Sequence, residues 1–201
     1  MDRIVFATKN KGKLKEINAL LAELNVPVVS MEEAGITADV TEDGTTFEEN
    51  AKKKAIEIMN ITHEITLADD SGLEVDYLEG APGVYSARYL GEDTPYSVKN
   101  QHILSLLQDV PDKKRTARFV CVIAAAFPDG RVFTAKGTME GIIAREIRGE
   151  NGFGYDPIFY IPQLGLTTAE LSPEDKNAIS HRGKALTQMK ELLKKQLGVN
   201  E

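Results

Sequence analysis

One stretch organises the chain: Leu67-Ala68-Asp69-Asp70-Ser71-Gly72-Leu73. Its apolar, β-prone beginning runs directly into two adjacent carboxylates, which are followed by a hydroxyl and a glycine. Successive side chains of a strand point to opposite faces, so Asp69 and Asp70 cannot both face one ligand while the strand stays regular. We therefore expect one of them to be the working group and the other a support. The pair Ser71-Gly72 predicts a break in the strand and a close approach of the backbone to another group.

A carboxylate at the end of a strand suits a hard cation such as Mg²⁺. This ion takes oxygen ligands and commonly uses one or two carboxylates beside the phosphates of a substrate. The alternative is a solvated turn, because Asp, Ser and Gly are also turn residues. The other motifs of the chain have to decide between these two interpretations.

Composition predicts a single globular domain over residues 1–201, with two lobes, since the chain has 201 residues of which 42% are hydrophobic and 27% charged. A net charge of −7 argues against a surface that binds nucleic acid as a whole. The longest apolar run, Phe119 to Phe127, is too short to cross a membrane, and the first residues lack a signal-peptide pattern. We therefore expect no membrane or nucleic-acid partner and a cytoplasmic location. Cys121 lies inside that apolar run, which favours a buried, inert thiol.

A polar loop follows the first predicted strand, Arg3 to Ala7, and precedes a helical pattern of apolar residues. The loop reads Thr8-Lys9-Asn10-Lys11-Gly12-Lys13. Backbone N–H groups at the start of a helix bind anions, and lysines add positive charge. The loop is not a Walker loop, because the two-glycine spacing is absent. It is either a phosphate site or a solvated basic turn.

A second helix is predicted from Thr45, as its N-cap in a capping box with Glu48, to about Met59. Lys54 falls within the apolar stripe of this helix, where an isolated charge is costly. It either extends past the stripe to water or points into a cleft that holds phosphate. In the second case Glu42, just before the helix, is a second metal carboxylate.

The last third of the chain adds aromatic and cationic residues. Three glycines surround Phe153 between residues 148 and 157, which lets the backbone approach a flat ligand and lets the ring stack on a base. On composition alone an ordinary glycine-rich loop explains the run equally well. His181 and Arg182 begin the final helix behind a capping Ser180, where cations oppose the helix dipole unless a ligand rich in acceptors is bound.

Taken together, these motifs resemble the inosine triphosphate pyrophosphatase family, in family order and over nearly the whole chain. The motifs are Thr8-x-Asn10-x-x-Lys13, Glu42-Asp43-Gly44-x-x-Phe47, Ala68-Asp69-Asp70-Ser71-Gly72, Gly83-x-x-Ser86-Ala87-Arg88, Gly152-Phe153-Gly154-Tyr155-Asp156-Pro157 and Ser180-His181-Arg182. The resemblance implies an α/β fold with an elongated mixed β-sheet flanked by helices and two lobes around a central cleft. It also implies a Mg²⁺ requirement, a homodimer, and hydrolysis of ITP, dITP and XTP to a nucleoside monophosphate and pyrophosphate, which cleanses the nucleotide pool.

The resemblance assigns roles residue by residue. Thr8, Lys9, Asn10, Lys11, Gly12 and Lys13 resemble the triphosphate loop, and Lys54 the phosphate lysine on a helix. Glu42 and Asp70 would hold the metal, Asp70 would also accept the proton, and Ser71 would contact substrate. The base pocket would consist of Phe153, Gly154, Tyr155, Asp156, Lys176, His181 and Arg182.

Two alternatives stay open at this point. A nucleotide- or RNA-binding module without catalysis could use the same basic loop and aromatic ring, although bare phosphate binding has no use for Asp70. A pyrophosphatase that acts on other nucleotides, such as modified pyrimidines, fits the same motifs. Release of pyrophosphate and a panel of substrates distinguish these three functions.

Overall fold

The computed structural model of the chain describes residues 3–8 and 11–198. Its strands are β1 (Ile4–Phe6), β2 (Val28–Ser30), β3 (Thr66–Val75), β4 (Thr116–Ala126), β5 (Val132–Ile143), β6 (Phe159–Ile161) and β7 (Leu166–Thr167). Its α-helices are α1 (Lys11–Leu21), α2 (Phe47–Thr62), α3 (Tyr96–Leu106), α4 (Pro173–Ile179) and α5 (His181–Leu197). Short 3₁₀ turns connect several of these elements.

The strands form one seven-stranded sheet in the order β2-β1-β3-β4-β5-β6-β7. The strand β1 pairs in parallel with β2 and β3, whereas β6 pairs antiparallel with β5 and β7. The predicted mixed sheet flanked by helices is therefore confirmed. The strand β4 lies in the middle of this order and is apolar on both faces, as a central strand requires.

The chain divides into two compact units. The first consists of Met1–Asp70, Cys121–Gly137 and Lys184–Glu201, and the second of Ser71–Val120 and Thr138–Gly183. In the first unit, the apolar faces of α1 and α5 pack with β1 and the second half of β4. The buried members include Ile4, Phe6, Ile17, Leu21, Cys121, Ile123, Leu186, Met189 and Leu193. Cys121 is fully buried, as the sequence predicts.

The core of the second unit surrounds α3 and the first half of β4. Its buried members include Leu73, Ile103, Leu107, Phe119, Met139, Tyr155, Ile158 and Phe159. Arg115 belongs to the same unit and is only 1% exposed. Its guanidinium donates to the carbonyl oxygens of Ile143 (2.8 Å), Ala144 (2.6 Å) and Leu107. The Arg115 side chain thus joins the end of α3 to the end of β5.

Two details of the predicted elements are wrong. The N-cap of α2 is Thr46, not Thr45, and its capping-box partner is Glu49, because the Glu49 carboxylate reaches back to the backbone of Thr46. The strand β3 does not break at Ser71-Gly72 but continues to Val75. Gly72 serves close approach instead: a Cβ there would lie 2.4 Å from Ser86 Oγ.

The other predicted helix signals agree with the structure. The apolar stripe of α2 is buried at Phe47, Ala51, Ala55 and Ile58. Ser180 caps α5, since Gly183 N donates to Ser180 Oγ (2.9 Å). Over the described residues, no helix combines the length and the apolar character that a membrane crossing needs.

Candidate active site

The residues that the sequence singles out fall into two groups, one in each unit. The first unit contains Thr8, Lys13, Glu42, Lys54, Asp69 and Asp70, and the second contains Ser71, Phe153, Gly154, Tyr155, Asp156, Lys176, His181 and Arg182. Lys9 and Asn10 lie outside the described residues. Lys11 and Gly12 begin α1, and their side chains are likewise outside the described part.

A cavity of about 190 Å³ lies within the first unit. It is lined by two lysines, three acidic residues and a hydroxyl, with apolar residues between them: Lys13, Lys54, Asp39, Glu42, Asp69, Thr8, Ala7, Met31, Ala38 and Val40. The fold explains the composition of these walls. Thr8 follows β1, Lys13 stands in the first turn of α1, and Lys54 projects from α2. Positively and negatively charged side chains therefore line the same small cavity.

Each cavity lysine makes an ion pair with a cavity carboxylate. Lys13 Nζ donates to Asp69 Oδ2 at 2.7 Å, and Lys54 Nζ donates to Glu42 Oε1. Lys54 does not extend past the apolar stripe to water, because its ammonium pairs with Glu42 on the cavity wall, and the expected phosphate contact stays a prediction. Lys54 is only 16% exposed at its side chain, so this charge depends on its partner.

The adjacent carboxylates of β3 have different partners, as strand alternation requires. Asp69, which is 3% exposed, lies on the cavity wall and pairs with Lys13. Asp70, which is 8% exposed, accepts a hydrogen bond at Oδ2 from Asn50 Nδ2 (2.9 Å). Ser71 follows within the same strand and is half-buried.

The donor set of the first unit suits a hard divalent cation. Glu42, Asp69 and Asp70 supply carboxylate oxygens, which Mg²⁺ prefers. Among the described residues, no three His, Cys, Asp or Glu side chains are grouped closely enough to hold a metal by themselves. Mg²⁺ commonly completes its coordination with water and with the phosphates of a substrate, so two carboxylates are sufficient. The residues present therefore fit a cation that binds together with a phosphate ligand.

An exposed aromatic ring with cations over it marks the second unit. Phe153 is 63% exposed. Lys176 Nζ lies 4.7 Å and the Arg182 guanidinium carbon 5.9 Å from the centroid of its ring. The ring of His181 stacks on Phe119, with centroids 5.0 Å apart and planes 16° apart. The structure thus brings together the aromatic and cationic residues of the last third of the chain.

Asp156 is the buried centre of this group and is 2% exposed. Its Oδ2 accepts hydrogen bonds from Phe153 N (2.8 Å) and from Lys176 Nζ (2.5 Å). Its Oδ1 accepts one from Thr168 Oγ1 (2.9 Å). Gly152 has no room for a side chain, because a Cβ there would lie 2.2 Å from Asp156 Oδ2. Asp156 therefore fixes the backbone before Phe153 and the position of the Lys176 ammonium.

Asn100 of α3 and the backbone at Ser86 hold the other side of the glycine-rich loop. Asn100 Nδ2 donates to Gly154 O (3.0 Å), and the Tyr155 hydroxyl donates to Ser86 O (2.8 Å). Burial raises the pKa of the Tyr155 hydroxyl, which therefore stays protonated. Gly154 is thus held at its carbonyl oxygen, and Tyr155 is held at its hydroxyl group.

Some residues of both groups were not identified from the sequence. They are Asp39 on the cavity wall, Asn50 beside Asp70, and Asn100 behind Gly154. Asn50 and Asn100 are buried polar residues within helices, where Asn is not favoured. That signal could have identified them as residues with a specific hydrogen-bonding role, although not their partners.

Comparisons with known proteins agree with the motifs. The sequence profile of the Ham1 family matches residues 4–192. A dITP/XTP pyrophosphatase of Desulforamulus reducens is 56% identical over 191 residues, which cover 95% of each chain. A dITP/XTP pyrophosphatase of Clostridium perfringens is 48% identical over 200 residues, which cover 96% of this chain and 98% of the relative.

Solved structures give the same result. The HAM1 protein from Coxiella burnetii has a TM-score of 0.91 at 44% identity, over 97% of this chain and all of that one. The Ham1 protein of Staphylococcus aureus has a TM-score of 0.91 at 42% identity, over 97% of this chain and 100% of that one. The resemblance to inosine triphosphate pyrophosphatases, drawn from the motifs, is confirmed: the chain belongs to the Ham1 family.

Proposed function

We propose that this chain is a Mg²⁺-dependent nucleoside triphosphate pyrophosphatase that hydrolyses ITP, dITP and XTP to the nucleoside monophosphate and pyrophosphate. Its cellular role would be to remove deaminated purine nucleotides from the nucleotide pool. Full-length relatives named dITP/XTP pyrophosphatase support the substrate class. One structural observation carries the proposal: lysine–carboxylate pairs line a single cavity in the first unit.

The triphosphate would bind to the first unit, at Lys13, Lys54 and the loop from Thr8 to Lys13. Each lysine pairs with a carboxylate. A metal–triphosphate complex carries both charges, so the lysines can turn to phosphate oxygens while the carboxylates turn to the cation. Each lysine and each carboxylate then keeps a partner of opposite charge, which limits the cost of burying the new charges.

Glu42 and Asp70 would hold the metal, and Asp70 would accept the proton of the water that attacks the α-phosphorus. A free Asp has a pKa of about 4 and is a weak base at neutral pH. Bound Mg²⁺ supplies the remaining chemistry, because it acidifies water and neutralises charge on the phosphate oxygens. Asn50 Nδ2 donates to Asp70 Oδ2 at 2.9 Å and would help to orient the carboxylate toward the metal and the water.

The base would bind to the second unit, stacked on Phe153 and held by Lys176, His181 and Arg182, with Gly154, Tyr155 and Asp156 shaping the loop. Ser71 would contact the substrate beside Asp70. Hypoxanthine and xanthine present a 6-oxo acceptor where adenine presents an amino donor. Arg182, together with His181 as a donor, would match the first edge and mismatch the second.

The assembly and location that we propose are a cytoplasmic homodimer with no nucleic-acid or membrane partner. Sedimentation equilibrium of the pure protein tests the assembly: a mass near twice 22.1 kDa supports it, and a mass of one chain rejects it.

Release of pyrophosphate from a panel of nucleotides tests the function. The panel contains ITP, dITP, XTP, GTP, ATP and a modified pyrimidine triphosphate, each with and without Mg²⁺. We expect rapid release from the first three in Mg²⁺ only. Binding of ITP without release would favour a non-catalytic module, and a preference for the pyrimidine would favour the other class of pyrophosphatase.

The variant Arg182→Ala tests the base pocket within the same panel. It should lower the kcat/KM ratio of ITP over ATP, because a donor to the 6-oxo group is lost. An unchanged ratio would reject Arg182 as a base contact.

A further inference from the structure

The buried amide of Asn50 links two segments of the first unit that carry proposed metal ligands. Its side chain is fully buried, near the start of α2. Nδ2 donates to Asp70 Oδ2 at 2.9 Å, and Oδ1 accepts from Gly44 N at 2.8 Å. Gly44 lies two residues after Glu42. One amide group therefore connects the Asp70 carboxylate to the loop that carries the second carboxylate.

The geometry leaves this amide little freedom. A Cβ at Gly44 would lie 2.7 Å from Asn50 Oδ1, so the loop backbone is packed directly against the amide. The two hydrogen bonds also fix which way the amide faces, because only its nitrogen can donate to a carboxylate and only its oxygen can accept from Gly44 N–H. Asp70 Oδ2 therefore accepts its hydrogen bond from a donor that is itself held in place.

Helix α2 binds the same loop at two further points. Lys54, one turn after Asn50, pairs with Glu42, and Lys53 Nζ donates to Asp43 Oδ1 at 2.6 Å. The Lys54 pair can open when phosphate replaces Glu42 as the partner of the ammonium group, and the more exposed Lys53 pair contributes little. The Asn50 bonds involve a fully buried side chain and hold the loop to Asp70 while the lysines change partners.

We propose that Asn50 is a positioning residue, which fixes the Asp70 carboxylate relative to the Glu42 loop so that both can bind one divalent cation. This inference rests on the proposed function, because it assumes that these carboxylates hold the metal. Asn50 acts through Asp70 and Gly44 and does not touch the substrate. Groups that orient metal ligands typically change metal affinity by about 10–100-fold when they are removed.

Isothermal titration with inorganic pyrophosphate, with and without Mg²⁺, separates this role from a merely structural one. In the unsubstituted protein, Mg²⁺ should tighten pyrophosphate binding. In Asn50→Leu, the Kd measured with Mg²⁺ should rise by about 10–100-fold, while the Kd without Mg²⁺ should stay within about twofold because the lysines remain. Asn60→Leu is the matched control, since Asn60 is exposed on the same helix, and it should leave both values unchanged.

A second variant guards against misfolding of Asn50→Leu. Gly44→Ala keeps Asn50 but displaces its amide by the close contact described above, and it should change the Mg²⁺-dependent Kd in the same direction. Equal weakening with and without Mg²⁺ would overturn the proposal, as would wild-type values in both variants or an absence of any Mg²⁺ effect in the unsubstituted protein. Failure of the proposed function is a separate result, namely no release of pyrophosphate from dITP or XTP by the unsubstituted protein.

Discussion

Replacement of Asp156 by alanine should destabilise the protein strongly. The Asp156 carboxylate is 2% exposed and accepts hydrogen bonds from Lys176 Nζ, Phe153 N and Thr168 Oγ1. Removing it leaves a partly buried ammonium and two further donors without that acceptor. Breaking a buried pair by removing one partner costs about 3–5 kcal/mol. For a chain of this size that corresponds to a fall in Tm of about 6–20 °C, at about 2–4 °C per kcal/mol.

Urea unfolding followed by circular dichroism measures this change. The matched control is Asp112→Ala in the same unit, where the carboxylate pairs with Arg145 and is 73% exposed. That substitution should change the free energy of unfolding by less than about 1 kcal/mol, as surface ion pairs do. If Asp156→Ala also lowered the free energy of unfolding by less than about 1 kcal/mol, the interpretation of Asp156 as the buried acceptor that holds Phe153 and Lys176 would be refuted.

Three further predictions concern other contacts. Arg115→Met should lower the free energy of unfolding by about 3 kcal/mol or more, because three buried carbonyls lose charged donors, whereas a surface arginine variant such as Arg131→Met should not. Tyr155→Phe should cost about 1 kcal/mol at pH 7, since one hydrogen bond is lost. Burial raises the pKa of the Tyr155 hydroxyl, so its contribution to the free energy of unfolding is present below the pKa of an unfolded tyrosine, about 10, and is lost progressively at higher pH. Unfolding curves from pH 8 to 11 should therefore show a smaller loss of stability at high pH for Tyr155→Phe than for the unsubstituted protein. Lys13→Met should raise the KM for dITP at least tenfold in steady-state assays, because a phosphate contact that carries charge is worth about 1.5–3 kcal/mol; an unchanged KM would exclude Lys13 from the triphosphate site.

The sequence predicts those parts of the fold that depend on local chemistry. The apolar stripe of α2, the cap at Ser180 and the central position of β4 follow from periodicity, capping and hydrophobicity, and each is present. The α2 N-cap was misplaced by one residue because Thr45 and Thr46 both fit the motif, and the hydrogen bond from Glu49 N to Thr46 Oγ1 decides between them.

The candidate site could be predicted only as a set of residues. Lys13, Glu42 and Lys54 line one cavity, which spacing along the chain could suggest but not establish. The pairing of Lys13 with Asp69, and of Asn50 with Asp70, depends on which face of β3 meets which helix. Strand alternation predicts that the two carboxylates point to opposite faces of β3, but it does not indicate which one faces the cavity.

The continuation of β3 through Ser71-Gly72 has a similar cause. Local rules favour a turn at this dipeptide, whereas the structure uses the missing side chain to admit Ser86. The Ser86 hydroxyl then accepts from Leu73 N and donates to Gly83 O. The contact between Leu73 and Ser86, which are thirteen residues apart in the sequence, thus overrides the local preference for a turn.

The most direct test of the central claim is the turnover of dITP in Mg²⁺ by Asp70→Asn, compared with Asp69→Asn and the unsubstituted chain. We expect Asp70→Asn to lower kcat for pyrophosphate release by about 10²–10⁴-fold, as loss of a general base does, with an unchanged circular dichroism spectrum. Asp69→Asn should act mainly on KM, through Lys13. Turnover of Asp70→Asn near that of the unsubstituted chain would contradict the account.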